Sequence, residues 1–189
     1  MFTRVAALVV FGAAAASAQD APGLGGRWAL NHQLSQDLAG RIKAVAGSAM
    51  MEGGPSWSDN TWIPWGKNFT EGDRLSVREF LLGAVPAFDS IEIQPRGDEV
   101  TTVHGAGGSR IFRLTRTSAG TSALSGETVK RTARLDGGTL LLESKGKSGL
   151  LRETFTLESS GSRLVYQLHL EQKRLKGDLD TRLVYDRAP

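Results

Sequence analysis

From about residue 89 to 187 the chain runs as short alternating segments broken by small and polar residues. The candidate strands are DSIEIQ, EVTTVH, RIFRLT, ETVKRTARL, TLLLES, LLRETFTL, RLVYQLHL and DTRLVYD, separated by RGD, GAGG, DGG, GKSG and SSGS. A parallel crossover needs a dozen or more residues, so strands this close in sequence pair antiparallel. With one earlier strand at Gly26 to Leu30 they make about eight or nine. Such an up-and-down sheet is long enough to curl and close, which removes its exposed edges. The expected fold is mainly β, an antiparallel barrel.

Between the first strand and this series lies a helical insert at about residues 35 to 84. Leu34, Leu38, Ile42, Val45 and Ala49 form one apolar stripe, which predicts a helix capped by Ser35. Ser76 and Glu79 have the spacing of a capping box and predict the start of a second helix, with Val77, Phe80, Leu81 and Ala84 on its apolar face. Between the helices, WSDNTWIPWGKN has loop composition yet carries three of the four tryptophans, Trp57, Trp62 and Trp65.

The amino terminus has the layout of a cleavable secretory signal over residues 1–18. Arg4 supplies the charge, Val5 to Ala16 the apolar run, and Ala16-Ser17-Ala18 the small-residue site. That run is too short to span a bilayer, which takes roughly 20 residues. A linker at 19–25 then leads into a single domain at 26–189, expected in the periplasm or outside the cell with no lipid anchor. The absence of cysteine removes disulfides, thiolate metal sites and cysteine nucleophiles together. The formal net charge is +3, one less once Arg4 is cleaved, and the basic residues are scattered among acids, which argues against nucleic acid. The strands lack the aromatic girdles of a membrane barrel, and no later segment is apolar enough for a membrane helix.

The opening GRWALNHQLS, the late RLVYQLHLEQKRL and the terminal TRLVYDR resemble a group of uncharacterised secreted bacterial proteins. The Gly-x-Trp of the first strand resembles that of lipocalin-like, or calycin, barrels. The resemblance implies a lipocalin-like barrel whose end is closed by Trp28 and whose first and last strands are neighbours. An arginine of the last strand, Arg182 or Arg187, then lies over the face of Trp28. No activity is implied, and fold alone does not specify one.

Candidate binding residues follow from chemistry. Trp57, Trp62 and Trp65 suit stacking or an apolar ligand mouth. Arg131 interrupts the face of Val129, Ala133 and Leu135, and Glu153 interrupts that of Leu151, Phe155 and Leu157. If those faces point inward, the two charges need a mutual ion pair or a polar ligand. Leu164, Tyr166 and Leu168 are the expected wall of an interior cavity. His32, His104 and His169 show no metal-ligand spacing and read as surface or turn residues. No nucleophile elbow, phosphate loop or dinucleotide fingerprint is present. No catalytic residue, metal or cofactor is assigned.

The expected function is therefore a binding module for a small apolar or amphipathic molecule held in the barrel mouth. The alternative is a cell-envelope interaction or structural protein whose barrel is filled and whose helical insert meets a protein partner. An enzyme ranks third.

Overall fold

The computed structural model describes residues 23–46, 71–105, 108–122, 126–158 and 160–189, with the main chain alone for 71–74. The strands are β1 (Gly26–Leu30), β2 (Ser90–Arg96), β3 (Glu99–His104), β4 (Ser109–Arg113), β5 (Ser118–Thr121), β6 (Thr128–Asp136), β7 (Thr139–Lys145), β8 (Gly149–Leu157), β9 (Arg163–Gln172) and β10 (Leu179–Arg187). Helices α1 (Leu38–Ala46) and α2 (Glu71–Ala84) follow β1, and a 3₁₀ turn at Val85–Asp89 leads into β2.

All ten strands form one antiparallel sheet in the order β4-β3-β2-β1-β10-β9-β8-β7-β6-β5. Tight connections set the runs from β2 to β4 and from β5 to β10, and β1 joins the two runs by pairing with β2 and β10. Gly137 and Gly138, both at positive φ (53° and 84°), make the two-residue turn that pairs Asp136 with Thr139. All eight expected strands of the series are present. The additional one, β5, is SAGT, too short and too poor in apolar residues to signal itself.

β1 pairs with both β2 and β10, with Trp28 opposite Ile91 and Arg187. The neighbouring ends therefore sit within the sheet and are not its closing seam. β4 comes alongside β6, but no ladder joins β4 to β5 among the described residues, so the barrel is nearly closed.

Alternation turns one face of every strand inward. Trp28, Phe112, Phe155, Leu164, Tyr166 and Tyr185 are fully buried and fill the barrel from floor to middle. Burying each of these side chains contributes roughly 1.5 to 3 kcal/mol. Leu38, Ile42 and Ala46 of α1 and Val77 and Leu81 of α2 join the same core. The helices connect the upper ends of β1 and β2 and so lie over the mouth.

Two expected caps are replaced. Asp37, not Ser35, caps α1, accepting from the Gly40 N–H at 2.9 Å. Ser35 is instead tied to β10, its Oγ accepting from Val184 N at 2.9 Å and donating to Val184 O at 3.2 Å. Leu34 is accordingly exposed rather than part of the helix stripe. α2 already runs from Glu71, so Ser76 and Glu79 lie inside the helix and do not begin it. Phe80, expected on its apolar face, is exposed.

Candidate functional site

The inward face carries a polar cluster just beneath the mouth, built by four strands. Glu153 lies in the middle of β8, in register with Leu142 and Leu168, and is 1% exposed. An unpaired carboxylate in such a place is prohibitively costly. Its partner is Arg110 of β4, reaching across the barrel. Nη1 donates to Oε2 at 2.6 Å and Nη2 to Oε1 at 2.7 Å, the two-pronged geometry that suits guanidinium and carboxylate. The Tyr166 hydroxyl donates to Oε1 at 2.8 Å.

His104 of β3 completes the cluster. Its Nε2 lies 2.7 Å from Arg110 Nη2, and a guanidinium has only donors, so Nε2 accepts and the proton sits on Nδ1. The ring is therefore neutral. Burial first, and then the Arg110 charge, lower its pKa from 6.5 to about 4 against the opposing pull of Glu153. Burial alone would raise the Glu153 pKa, but Arg110 and the hydrogen bonds from Arg110 and Tyr166 hold it below the usual value. The same pairing raises Arg110, while burial and then Glu153 push the Tyr166 phenol well upward. Glu153 is an ionised acceptor and Tyr166 a neutral donor. No member of the cluster is poised as a nucleophile.

Arg131 does not make the expected pair with Glu153. It sits closer to the mouth, with its guanidinium carbon 5.6 Å from the centre of the Phe112 ring, whose other neighbour is Arg110 at 5.8 Å. Space for it comes from Gly120 on β5, where a Cβ would come within 2.3 Å of the guanidinium carbon. Its Nη2 donates weakly to Thr121 O at 3.4 Å, and its buried Nε has no partner among the described residues.

Above this cluster a cavity of ≈ 300 Å³ opens at the mouth. Leu150, Leu151, Leu170 and Val129 give it an apolar wall, and Arg110, Arg131, Ser144 and Gln172 give it a polar one. Gln172 is almost fully buried, and its Oε1 has no partner among the described residues. Glu127 is occupied, accepting from the Ser148 N–H and hydroxyl. A larger hollow of ≈ 830 Å³ lies towards the floor by the β4–β6 seam. Its wall combines Arg134 and Leu141 from the outward face with Leu114 and Leu135 from the inward one, so it is the gap at the unpaired seam and lies away from the ion cluster.

Of the residues singled out from sequence, Arg131 lines the mouth cavity. Glu153 and Tyr166 lie together in the cluster below it. Leu164 and Tyr166 are packed in the filled lower barrel, so the cavity sits higher than the expected wall. Trp57, Trp62 and Trp65 lie outside the described residues. His104 was expected on a surface or turn and is buried. His169 does face outward, between Asp180 at 2.8 Å and Glu171 at 3.1 Å. Arg110, His104 and Gln172 were missed as site residues. The one available signal was that Arg110 shares a strand face with Phe112 and Leu114, as Arg131 does with its apolar neighbours. No group of three or more His, Cys, Asp or Glu among the described residues is placed to hold a metal ion.

No protein-family model matches the sequence, and no curated protein matches it significantly. Solved structures do match in fold. A fatty acid binding protein of Schistosoma mansoni in complex with arachidonic acid superposes with a TM-score of 0.53 at 13% identity, covering 89% of this chain and 98% of that one. The fatty acid transporter REP1-NXSQ gives 0.51 at 18% identity, covering 88% and 96%. A secretory abundant heat soluble protein of Ramazzottius varieornatus gives 0.50 at 14%, covering 88% and 96%. At these identities the likeness is one of architecture: the chain has the calycin-like fold, a ten-stranded, nearly closed barrel with two helices after its first strand.

Proposed function

We propose that this chain is a secreted or periplasmic binding protein for a small amphipathic molecule held at the barrel mouth. The observation that carries the reading is the ≈ 300 Å³ cavity at the barrel mouth, with leucines on one wall and Arg110, Arg131, Ser144 and Gln172 on the other. Its volume is at the lower end of the range for small-molecule sites. In this reading the apolar part of the ligand packs on Leu150, Leu151 and Leu170, and its polar end accepts from the Arg131 guanidinium. Trp57, Trp62 and Trp65 enter the proposal on their chemistry alone, as aromatics for the ligand's apolar part. The fatty acids named for two neighbours of the same fold are consistent with such a molecule.

The filled lower barrel favours a second reading, a protein-interaction module. Leu34, Leu75 and Phe80 are exposed at or near the helices and would supply its contact surface.

Native mass spectrometry of the protein purified from its own host separates the two. A stoichiometric small molecule supports the binding reading, and a bound protein without one supports the second. Titration with 1-anilinonaphthalene-8-sulfonate gives an independent check. Wild type should bind it saturably, and Leu151→Trp, which fills the cavity, should weaken it about tenfold or more with the β-sheet spectrum unchanged. Absence of saturable probe binding together with no co-purifying small molecule would end the ligand reading.

A further inference from the structure

The ion cluster has the construction of a ligand site already in use. Three hydrogen bonds converge on the two oxygens of one carboxylate, two from the Arg110 fork and one from Tyr166. His104 accepts from the same guanidinium and fixes the plane of its fork. The surroundings are aromatic: Phe88, Phe155 and Tyr185 pack around Tyr166. Only the two methylenes of Glu153 connect that carboxylate to the sheet.

We propose that Arg110 and Tyr166, with His104 orienting the guanidinium, form a carboxylate-binding seat inside the barrel, and that Glu153 fills it as a tethered occupant. Glu153 is then the residue that turns free carboxylates away from the lower barrel. The proposal concerns a site below the mouth cavity and stands whether or not that cavity takes a ligand.

Tethering explains the exclusion. A carboxylate held in position by its own strand loses almost no translational or rotational freedom on docking, whereas a free acid loses both. Free acids therefore do not displace it. Shortening Glu153 to alanine removes a carboxymethyl group, leaves every donor in place, and opens a space that matches a two- or three-carbon acid. Arg110 also lines the mouth cavity, so a small acid has a route to it.

The test is chemical rescue of the full chain. Glu153→Ala should melt below wild type in sodium chloride at pH 7. Equal ionic strength of sodium acetate or propionate, at about 100 mM, should raise its midpoint by on the order of 5 °C, as expected for millimolar binding to the folded state. Wild type and the double variant Arg110→Met/Glu153→Leu should show no such carboxylate-specific rise. If Glu153→Ala does not fold in chloride, refolding yield is read in the same salts, and recovery by acetate or propionate supports the seat. A response no greater than that of wild type, or no recovery of fold in either acid, overturns it. The dye titration on wild type tests the mouth separately, so the two can fail independently.

Discussion

Arg187 lies over Trp28, its guanidinium carbon 4.3 Å from the ring centre, and the two residues are direct cross-strand partners on β10 and β1. The guanidinium also donates to the carbonyls of Gly23 and Gly25, while the indole N–H donates to Leu24 O at 3.0 Å. One arginine thus holds the segment before β1 against the tryptophan that plugs the floor. Of the two arginines expected there, the register selects Arg187.

Arg187→Met should therefore cost about 1 to 2 kcal/mol, from loss of the cation–π contact and of two charge-assisted hydrogen bonds. Arg187→Lys should recover part of this, because a single ammonium keeps the charge but not the fork. Urea unfolding gives the values. An unchanged midpoint for Arg187→Met would show that the contact adds nothing to stability.

The identity of the partner of Glu153 is open to a double-mutant cycle. Glu153→Gln alone should cost about 3 kcal/mol, since it leaves Arg110 buried without its counter-charge. Combined with Arg110→Met, the effects should depart from additivity by about 1 to 3 kcal/mol. Combined with Arg131→Met the departure should be smaller, because Arg131 makes no hydrogen bond to Glu153. Equal coupling in both cycles would contradict the observed pairing.

Stability should fall as the pH drops below neutrality. The unfolded chain protonates His104 near pH 6.5, whereas the folded chain resists until about pH 4. Between those values the unfolded state holds more protons, so acidification favours it, by on the order of 3 kcal/mol across the window. Glu153 acts in the same direction at lower pH: its folded pKa is depressed, so its stabilisation is lost as the pH falls through that value. His169 works oppositely. Its hydrogen bonds to Asp180 and Glu171 raise its pKa, so its contribution is present in acid and lost as the pH rises through the raised value; exposure keeps it small. Unfolding free energies measured from pH 4 to 7 should slope upward for wild type and more shallowly for His104→Gln. Parallel profiles would remove His104 as the cause.

Much of the fold was legible because strand alternation and tight turns are local properties. The run from Ser90 to Arg187 needed only spacing and side-chain period to be read as an antiparallel series, and β5 escaped because SAGT carries neither signal. Helix starts were less legible. Ser35 has the chemistry of a cap, but β10 offers it Val184, so Asp37 takes that role. Ser76 likewise has the right spacing, but α2 has already begun before it.

From the residues alone came the barrel, its two-helix insert, Arg131 and Glu153 as charges set among apolar residues of their strand faces, and an arginine of the last strand over Trp28. Each follows from a period of two, from a helical stripe, or from a resemblance carried by short motifs. Only the three-dimensional arrangement decided that Glu153 meets Arg110 and not Arg131, that His104 is internal, and that the cavity stands above the aromatic fill. The reason is physical. Strands β4 and β8 face one another only when the sheet curls, and a contact across a curved interior depends on register, tilt and side-chain length summed over every strand between them.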